Sequence, residues 1–468
     1  MPNPPSSSIK ETLIVSGFAS LALLILSWPG FRYFFSGETF TYLRIYNAHG
    51  KNLWEAAFSR MDGMFFRPGF FLSDLWWHFV FPPDPMVYHI RNFLFCVLNL
   101  FLLYRVLLKF VQSRSARIIA LGIFTASKIH MTSIGYINVY EAAILLMTIL
   151  LAVLFWIRYL EKRRSVDYVL ALSVCTVSVY SKDNGFMVVG IVAVMTAALA
   201  INTGNLEEQI RYWIIRYIPF VFISASYILL RYILTGPINP NNPVYSPRLS
   251  FSVAAWQTKA FLATVGNFSL TDPSFMGEKG LSSALAGKSE ILEISLCAAT
   301  WLLILFTIWR ARSSWRLLLV TAAWICFYLT PIFLIRNHQV YYHQEPLVGV
   351  VVLIGICLDG AKRPLVVFWC LVVAMIGINA FISNRISYYA WQYTADRAEI
   401  VKPIVAEYKD HPPSQIVFVS APKALGFWTF AIGGPLVPHL LGSADTRVEV
   451  VDPTAVISPD AQVYHLPE

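Results

Sequence analysis

Long apolar runs recur along the whole chain and constrain its fold more than any other feature. A helix needs about 20 mainly apolar residues to cross a bilayer. Most of these runs lack the polar stripe that a helix at a protein surface carries. The chain is therefore predicted to be an all-α polytopic membrane protein with about eleven transmembrane helices. The predicted spans are residues 12–29, 88–108, 117–135, 139–158, 166–181, 185–202, 213–234, 290–309, 316–335, 346–359 and 364–383.

Composition agrees with lipid as the main solvent. Of the residues, 57% are hydrophobic and only 13% are charged, whereas a soluble domain carries about 25% charged residues. The net charge of +9 comes from basic residues in short clusters between the apolar runs, which is where such residues orient a membrane protein. There is no basic helix or base-reading motif, so the sequence argues against nucleic-acid binding.

The charge of the short connectors predicts the orientation. Sixteen Lys or Arg residues fall on one side of the predicted spans and three on the other, and the richer side faces the cytoplasm. The sixteen are Lys10, Arg105, Lys109, Arg114, Arg117, Arg158, Lys162, Arg163, Arg164, Arg211, Arg216, Arg310, Arg312, Arg316, Lys362 and Arg363, and the three are Lys128, Lys182 and Arg336. The N-terminus is thus predicted inside the cell and the C-terminus outside.

This orientation divides the chain into two predicted domains. Residues 1–383 form the multi-span domain, whose two long outside loops are residues 30–87 and 235–289. Residues 384–468 form a small extracytoplasmic domain. Its stretches QIVFVS and RVEVV read as strands, so the C-terminal appendage is predicted to be α/β.

The first outside loop carries the residues with the clearest chemical interpretation. Glu38 follows the first span, where a carboxylate at the membrane surface can act as a general base, bind a cation or remain a solvated loop acid. Arg67 lies in an aromatic segment, where a guanidinium can bind a phosphate through two hydrogen bonds or can simply anchor the segment at the lipid headgroups.

Several short motifs follow one another in an order that resembles a known superfamily. They are Arg67-Pro68, Tyr88-His89-Ile90-Arg91-Asn92, Leu98-Asn99 to Tyr104, His130, Gly135-Tyr136-Ile137-Asn138, Ser181-Lys182-Asp183, and Pro219 with Tyr227 and Arg231. This order is similar to that of the GT-C membrane glycosyltransferases, especially bacterial relatives of protein O-mannosyltransferases. The resemblance implies a GT-C-like fold in the bacterial cytoplasmic (inner) membrane. It also implies inverting transfer of a sugar from a polyprenyl-phosphate donor at the outer face.

The same resemblance suggests roles for individual residues. Glu38 matches the catalytic base, and Arg67 and Lys182 are cations that could neutralise the carrier phosphate, although Lys182 also fits a lysine reaching to the membrane interface. His130 matches a histidine of the family and is predicted to bind substrate.

A late loop holds further candidates for substrate binding, namely His338, Tyr342 and His343. The two histidines also allow a divalent cation. Their separation of five residues does not match the i, i+4 spacing of a helical metal pair, so no metal site is predicted. Simple anchoring at the membrane interface is equally open.

Departures from the family pattern leave the function open. Thr39 follows Glu38 where the family usually has a second acid, and Phe66 replaces a tyrosine before Arg67. Glu141, at the mouth of a span, is a candidate for the second acid. Two functions therefore remain: a glycosyltransferase, or a non-catalytic subunit of the same descent that binds lipid or a partner protein complex. A transporter is disfavoured, because the spans lack paired charges at mid-membrane.

Overall fold

The structure is a computed structural model of the 468-residue chain. It describes residues 9–32, 52–58, 66–81, 84–135, 137–199, 206–236, 250–266, 301–302, 305–306, 315–335, 340–359, 366–408, 410–422 and 446–466.

Helices dominate the described residues. The α-helices, in chain order, are α1 Ile9–Ser27, α2 Leu53–Ala57, α3 Pro68–Val80, α4 Pro85–Phe110, α5 Arg114–Thr125, α6 Ile129–Gly135, α7 Tyr140–Lys162, α8 Ser165–Ser181, α9 Met187–Leu199, α10 Leu206–Thr235, α11 Phe251–Gly266, α12 Trp315–Phe333, α13 Gln344–Asp359 and α14 Val366–Tyr408. Short 3₁₀ turns lie at Trp28–Arg32, Ile137–Val139 and Val340–His343.

Six helical segments of the described chain are long and apolar enough to cross a membrane. They are Ile9–Arg32, Pro85–Phe110, Tyr140–Lys162, Glu207–Thr235, Trp315–Phe333 and Val340–Asp359. Helices α5 and α6 make a seventh if their 53° bend is counted within one span, and α8 and α9 are shorter apolar helices. A multi-pass membrane protein is therefore supported, whereas the predicted count of eleven spans is not confirmed. Most of the predicted span 290–309 lies outside the described residues.

Contacts between helix ends define the two ends of the bundle. At one end Arg117 lies 3.1 Å from Glu11, and Asp359 accepts hydrogen bonds of 2.8 Å from the backbone N–H groups of Gln112 and Ser113. This end carries most of the predicted cytoplasmic arginines and lysines, and we call it the basic end. The opposite end, where α4, α7 and α13 begin and α8 finishes, is called the site end.

Three polar residues of α4 donate to backbone carbonyls, two of them in α6 after the bend and one in the first turn of α7. His89 Nδ1 donates to the carbonyl of Ile134 at 2.8 Å, and Asn92 Nδ2 donates to that of Ser133 at 3.0 Å. Asn99 Nδ2 donates to the carbonyl of Ala143 at 2.8 Å. A broken helix at membrane depth leaves backbone groups that need such partners. The histidine and asparagines of the sequence motif therefore have a structural role in the described chain.

The C-terminal strands form a parallel sheet that packs on the site end. Strands β1 Gln415–Val419, β2 Arg447–Val451 and β3 Gln462–His465 have the order β2-β1-β3. Buried residues of β1 and of the end of α14 share one apolar cluster with Phe70 and Phe71 of α3. Helix α14 runs continuously through residue 384, and the predicted division into domains stays a prediction.

Gly185 lies in the tight turn after α8 that directs Lys182 and Asp183 into the site end. Its N–H donates to the Lys182 carbonyl at 2.8 Å, and a Cβ at this position would lie 1.9 Å from the carbonyl oxygen of Ser178.

We therefore expect Gly185→Ala to lower the free energy of unfolding by about 1–3 kcal/mol, because backbone atoms must move apart. Thermal unfolding in detergent measures this effect. The matched control is Gly17→Ala, whose Cβ would meet nothing within 4 Å. An equal loss in both variants would contradict the expectation.

Candidate functional site

Five charged side chains meet at the site end, and we call them the ion-pair cluster: Arg67, Glu141, Lys182, Asp183 and Arg231. The Arg67 guanidinium lies 2.5 Å from Glu141 Oε2 and 2.9 Å from Asp183 Oδ2. Arg231 Nε lies 3.4 Å from Asp183 Oδ1. Arg67 thus joins two acids from separate helices and connects the buried and exposed parts of the cluster.

Four of the five members of the ion-pair cluster lie at or near a helix terminus. Arg67 directly precedes α3, whose first residue is a proline with its φ already set for a helix. Glu141 lies in the first turn of α7, and the negative charge there is stabilised by the helix dipole. Lys182 is the extended residue that ends α8, with φ −157° and ψ 151°. Arg231 lies near the end of α10.

The two acidic side chains of the ion-pair cluster differ in how much of their surface is exposed. The Asp183 side chain is 34% exposed, whereas that of Glu141 is 6% exposed. Burial alone would raise the pKa of the Asp183 carboxyl, but the charges of Arg67 and Arg231 and a 2.9 Å hydrogen bond from Tyr227 bring this pKa below its ordinary value. Asp183 is therefore a carboxylate at neutral pH.

Lys182 is the member of the cluster with the most unusual surroundings. Its side chain is 4% exposed, and its Nζ lies 3.6 Å from Glu141 Oε1, which is too long for a hydrogen bond. Within the described residues this Nζ has no hydrogen-bond partner. The rings of Tyr341 and Tyr342 lie 5.0 and 5.6 Å from the nitrogen, within the range of a cation–π interaction. A buried ammonium with three N–H donors thus faces the site.

The structure brings together several of the residues predicted from the sequence. Arg67, Lys182 and Glu141 meet directly, and Tyr342 lies beside Lys182. His343 is fully buried one residue further along, with its ring 5.4 Å from that of Phe261. The substrate contacts predicted for these residues stay predictions.

The remaining predicted residues lie elsewhere. His130 is buried in the bend between α5 and α6, where its Nε2 donates to the Phe124 carbonyl at 2.9 Å. This contact gives His130 a structural role, and its predicted binding of substrate stays a prediction. Glu38 and His338 lie outside the described residues.

Two acids of the site were not predicted as functional from the sequence. Asp183 belongs to the motif Ser181-Lys182-Asp183 but received no predicted role. Its hydrogen bond with Arg67 joins residues 116 positions apart, so no local sequence pattern predicts this contact. Glu345 begins the apolar run of α13 and is fully buried. The sequence feature that could have identified Glu345 is its charge at the start of that apolar run, because an ionisable residue inside a membrane helix marks a functional site.

Metal binding gains no support from the part of the chain that the structure describes. There, no group of three or more His, Cys, Asp or Glu side chains is arranged to hold a metal ion. The sequence allows a divalent cation without predicting a site for it, and Glu38 and His338 are not among these residues.

Comparison with solved structures finds a match over most of the chain. The Archaeoglobus fulgidus oligosaccharyltransferase in its apo form is 14% identical, with a TM-score of 0.47, over 94% of this chain and 64% of that one. The same archaeal enzyme, AglB, in complex with an inhibitory peptide and a dolichol-phosphate is 14% identical, with a TM-score of 0.44, over 92% of this chain and 64% of that one. This chain is similar to an oligosaccharyltransferase.

The GT-C resemblance itself rests on the motifs of this chain and stays a prediction from the sequence. This chain spans less than two thirds of the length of the archaeal enzyme. No protein-family model and no curated protein matches the chain.

Proposed function

We propose that this protein is an inverting membrane glycosyltransferase that moves a sugar from a polyprenyl-phosphate carrier to an acceptor at the outer face of the membrane. The observation that carries the proposal is Lys182. The Lys182 ammonium is buried and lies 3.6 Å from Glu141 Oε1, and it makes no hydrogen bond among the described residues. Its N–H donors are therefore suited to a strongly accepting ligand. The phosphate of a lipid carrier supplies both the negative charge and the acceptor oxygens.

The position of Lys182 suits a ligand that enters from the bilayer. The residue ends α8 at the mouth of the helical bundle, and its exposure is 4%. Electrostatic attraction is stronger in such a water-poor place than at an exposed surface. The phosphate needs this attraction most when the bond to the sugar breaks, because negative charge then grows on its oxygens.

The reaction can be written with this chain's own groups. An acceptor O–H attacks the anomeric carbon of the sugar, and the bond between that carbon and the phosphate oxygen breaks. The electron pair leaves with the carrier phosphate, where Lys182 would neutralise it. The proton of the acceptor goes to a general base, for which Glu38 is the proposed residue.

A second candidate function is a non-catalytic subunit that binds lipid or a partner protein complex. The observation that favours it is the pairing of Arg67, which contacts both Glu141 and Asp183 and so has a structural role already. Copurification with a larger complex, together with no transfer from any lipid-linked donor, would support this alternative.

Binding of polyprenyl phosphate without a sugar tests the proposed phosphate site. We expect Lys182→Met to weaken binding to the purified full-length protein by about tenfold or more, because one charge-assisted contact is worth about 1.5–3 kcal/mol. The control is Lys109→Met at the basic end, where Lys109 lies 2.8 Å from Glu161. Equal affinities in the wild type and in both variants, or no binding at all, would contradict the proposal.

A further inference from the structure

Next to the ion-pair cluster lies a group of buried polar atoms that have no hydrogen-bond partner in the described part of the chain. These atoms are both carboxyl oxygens of Glu345, Nε2 of Gln344 and the hydroxyl of Tyr328. All three side chains are fully buried. We call them the polar triad.

The polar triad is held in place by contacts on either side. The Trp324 Nε1–H donates to the backbone carbonyl of Glu345 at 2.9 Å, and Gln344 Oε1 accepts from the Ser133 hydroxyl at 3.1 Å. Gln344 and Glu345 directly follow the turn Val340–His343, in which the rings of Tyr341 and Tyr342 lie 5.0 and 5.6 Å from Lys182 Nζ. The triad therefore adjoins the proposed phosphate site and has fixed backbone positions.

Unpaired polar atoms of this kind are costly. A buried donor or acceptor without a partner destabilises a protein by about 1–3 kcal/mol, and a charged group by more. Native proteins satisfy nearly all such groups with protein atoms, water or ligand. Four unpaired atoms on these three side chains thus point to a hydrogen-bonding ligand that contacts them in the bound state.

The chemistry of the triad restricts that occupant. A carboxyl group, an amide N–H and a phenol offer both acceptors and donors, which is what a group bearing several hydroxyls requires. A second phosphate is disfavoured, since Glu345 would repel it. An alkyl chain is disfavoured, because it would leave every one of these atoms unpaired.

We propose that Glu345, Gln344 and Tyr328 bind the hydroxyl groups of the sugar while Lys182 holds the phosphate to which that sugar is attached. This inference rests on the proposed function and makes the triad a determinant of sugar specificity. A site that hydrogen-bonds a hydroxyl rejects ligands lacking it far more strongly than an apolar site can reject a larger group.

The test compares sugar-bearing carriers with the bare carrier. The probes are polyprenyl phosphate and its esters with a neutral hexose, an N-acetylhexosamine and an aminopentose, bound to the purified full-length protein. We expect at least one ester to bind the wild type about tenfold more tightly than the bare lipid. Glu345→Gln and Tyr328→Phe should each remove most of this preference, measured within each variant as the ratio of its affinities for the ester and for the bare lipid.

Two features of the design keep the outcomes separate. Both substitutions nearly preserve side-chain volume, and Glu161→Gln at the basic end is the control for removing a carboxylate. A wild type that binds the bare lipid but prefers no ester, or a preference that survives in both variants, would overturn the inference alone. Loss of bare-lipid binding by the wild type would instead overturn the proposed function.

Thermal unfolding without ligand gives a second readout. If Glu345 serves ligand binding, its unpaired carboxyl group destabilises the ligand-free protein. The Glu345→Gln variant should then unfold at the same temperature as the wild type or at a higher one. A large drop in unfolding temperature would mean that Glu345 is a structural residue and would contradict the inference.

Discussion

Replacing Glu38 by Gln is expected to lower sugar transfer by a factor of about 10²–10⁴ while leaving carrier binding intact. The amide keeps the size of the side chain but cannot accept the proton of the acceptor hydroxyl. Turnover of a labelled polyprenyl-phosphate sugar by the purified protein measures the effect, and binding of the bare carrier shows that the variant is folded.

Glu55→Gln is the control for Glu38→Gln. Glu55 lies in the same predicted outside loop and carries the same charge, and the structure gives it a local role, accepting a hydrogen bond of 3.0 Å from Asn52. Transfer by Glu55→Gln should stay within about twofold of the wild type, because a solvated surface acid contributes little. Full activity of Glu38→Gln would remove Glu38 from the mechanism, whereas equal losses in both variants would indicate a general effect of loop charge.

Removal of Arg67 is expected to have the largest effect on stability. The Arg67→Met variant leaves the buried Glu141 without its closest cation and removes one of two arginines from Asp183. Breaking a buried ion pair from one side costs about 3–5 kcal/mol, because the remaining charge stays buried without its partner. Denaturant unfolding in detergent or lipid nanodiscs measures the change.

Two further variants make the Arg67 result specific. Arg447→Met removes an arginine that is 74% exposed and 2.6 Å from Glu449, and such surface pairs contribute only about 0–1 kcal/mol. The double variant Arg67→Met with Glu141→Gln should recover part of the lost stability, because the carboxylate left with only the more distant Lys182, 3.6 Å away, is removed as well. A loss in Arg67→Met no greater than in Arg447→Met would contradict the described cluster.

Residue types and their order predicted much of the candidate site. An arginine in an aromatic segment, a lysine at the end of a span and an acid at the mouth of another were each chosen from local context. The structure brings Arg67, Lys182 and Glu141 into contact. What local context cannot supply is the pairing itself, because Arg67 and Glu141 are 74 positions apart and meet only when α3 packs beside α7 and α8.

Other features could not be predicted from the sequence for physical reasons. The predicted span 117–135 hides a bend, because residues of α5 and α6 are apolar on both sides of it and the break is stabilised by polar groups of α4. The sequence does not reveal the burial of Glu345, since a carboxylate rarely starts a buried helix. Its full burial depends on α12, whose Trp324 contacts its backbone.

The central claim is that Lys182 and the polar triad together bind a sugar attached to a lipid phosphate. A structure of the full-length protein with bound polyprenyl phosphate tests this most directly. The account predicts phosphate oxygens about 2.7–3.2 Å from Lys182 Nζ, with open space or ordered water between the phosphate and Glu345 where the sugar would lie. A phosphate bound elsewhere, with Lys182 still beside Glu141 and the polar triad filled by protein atoms, would contradict it.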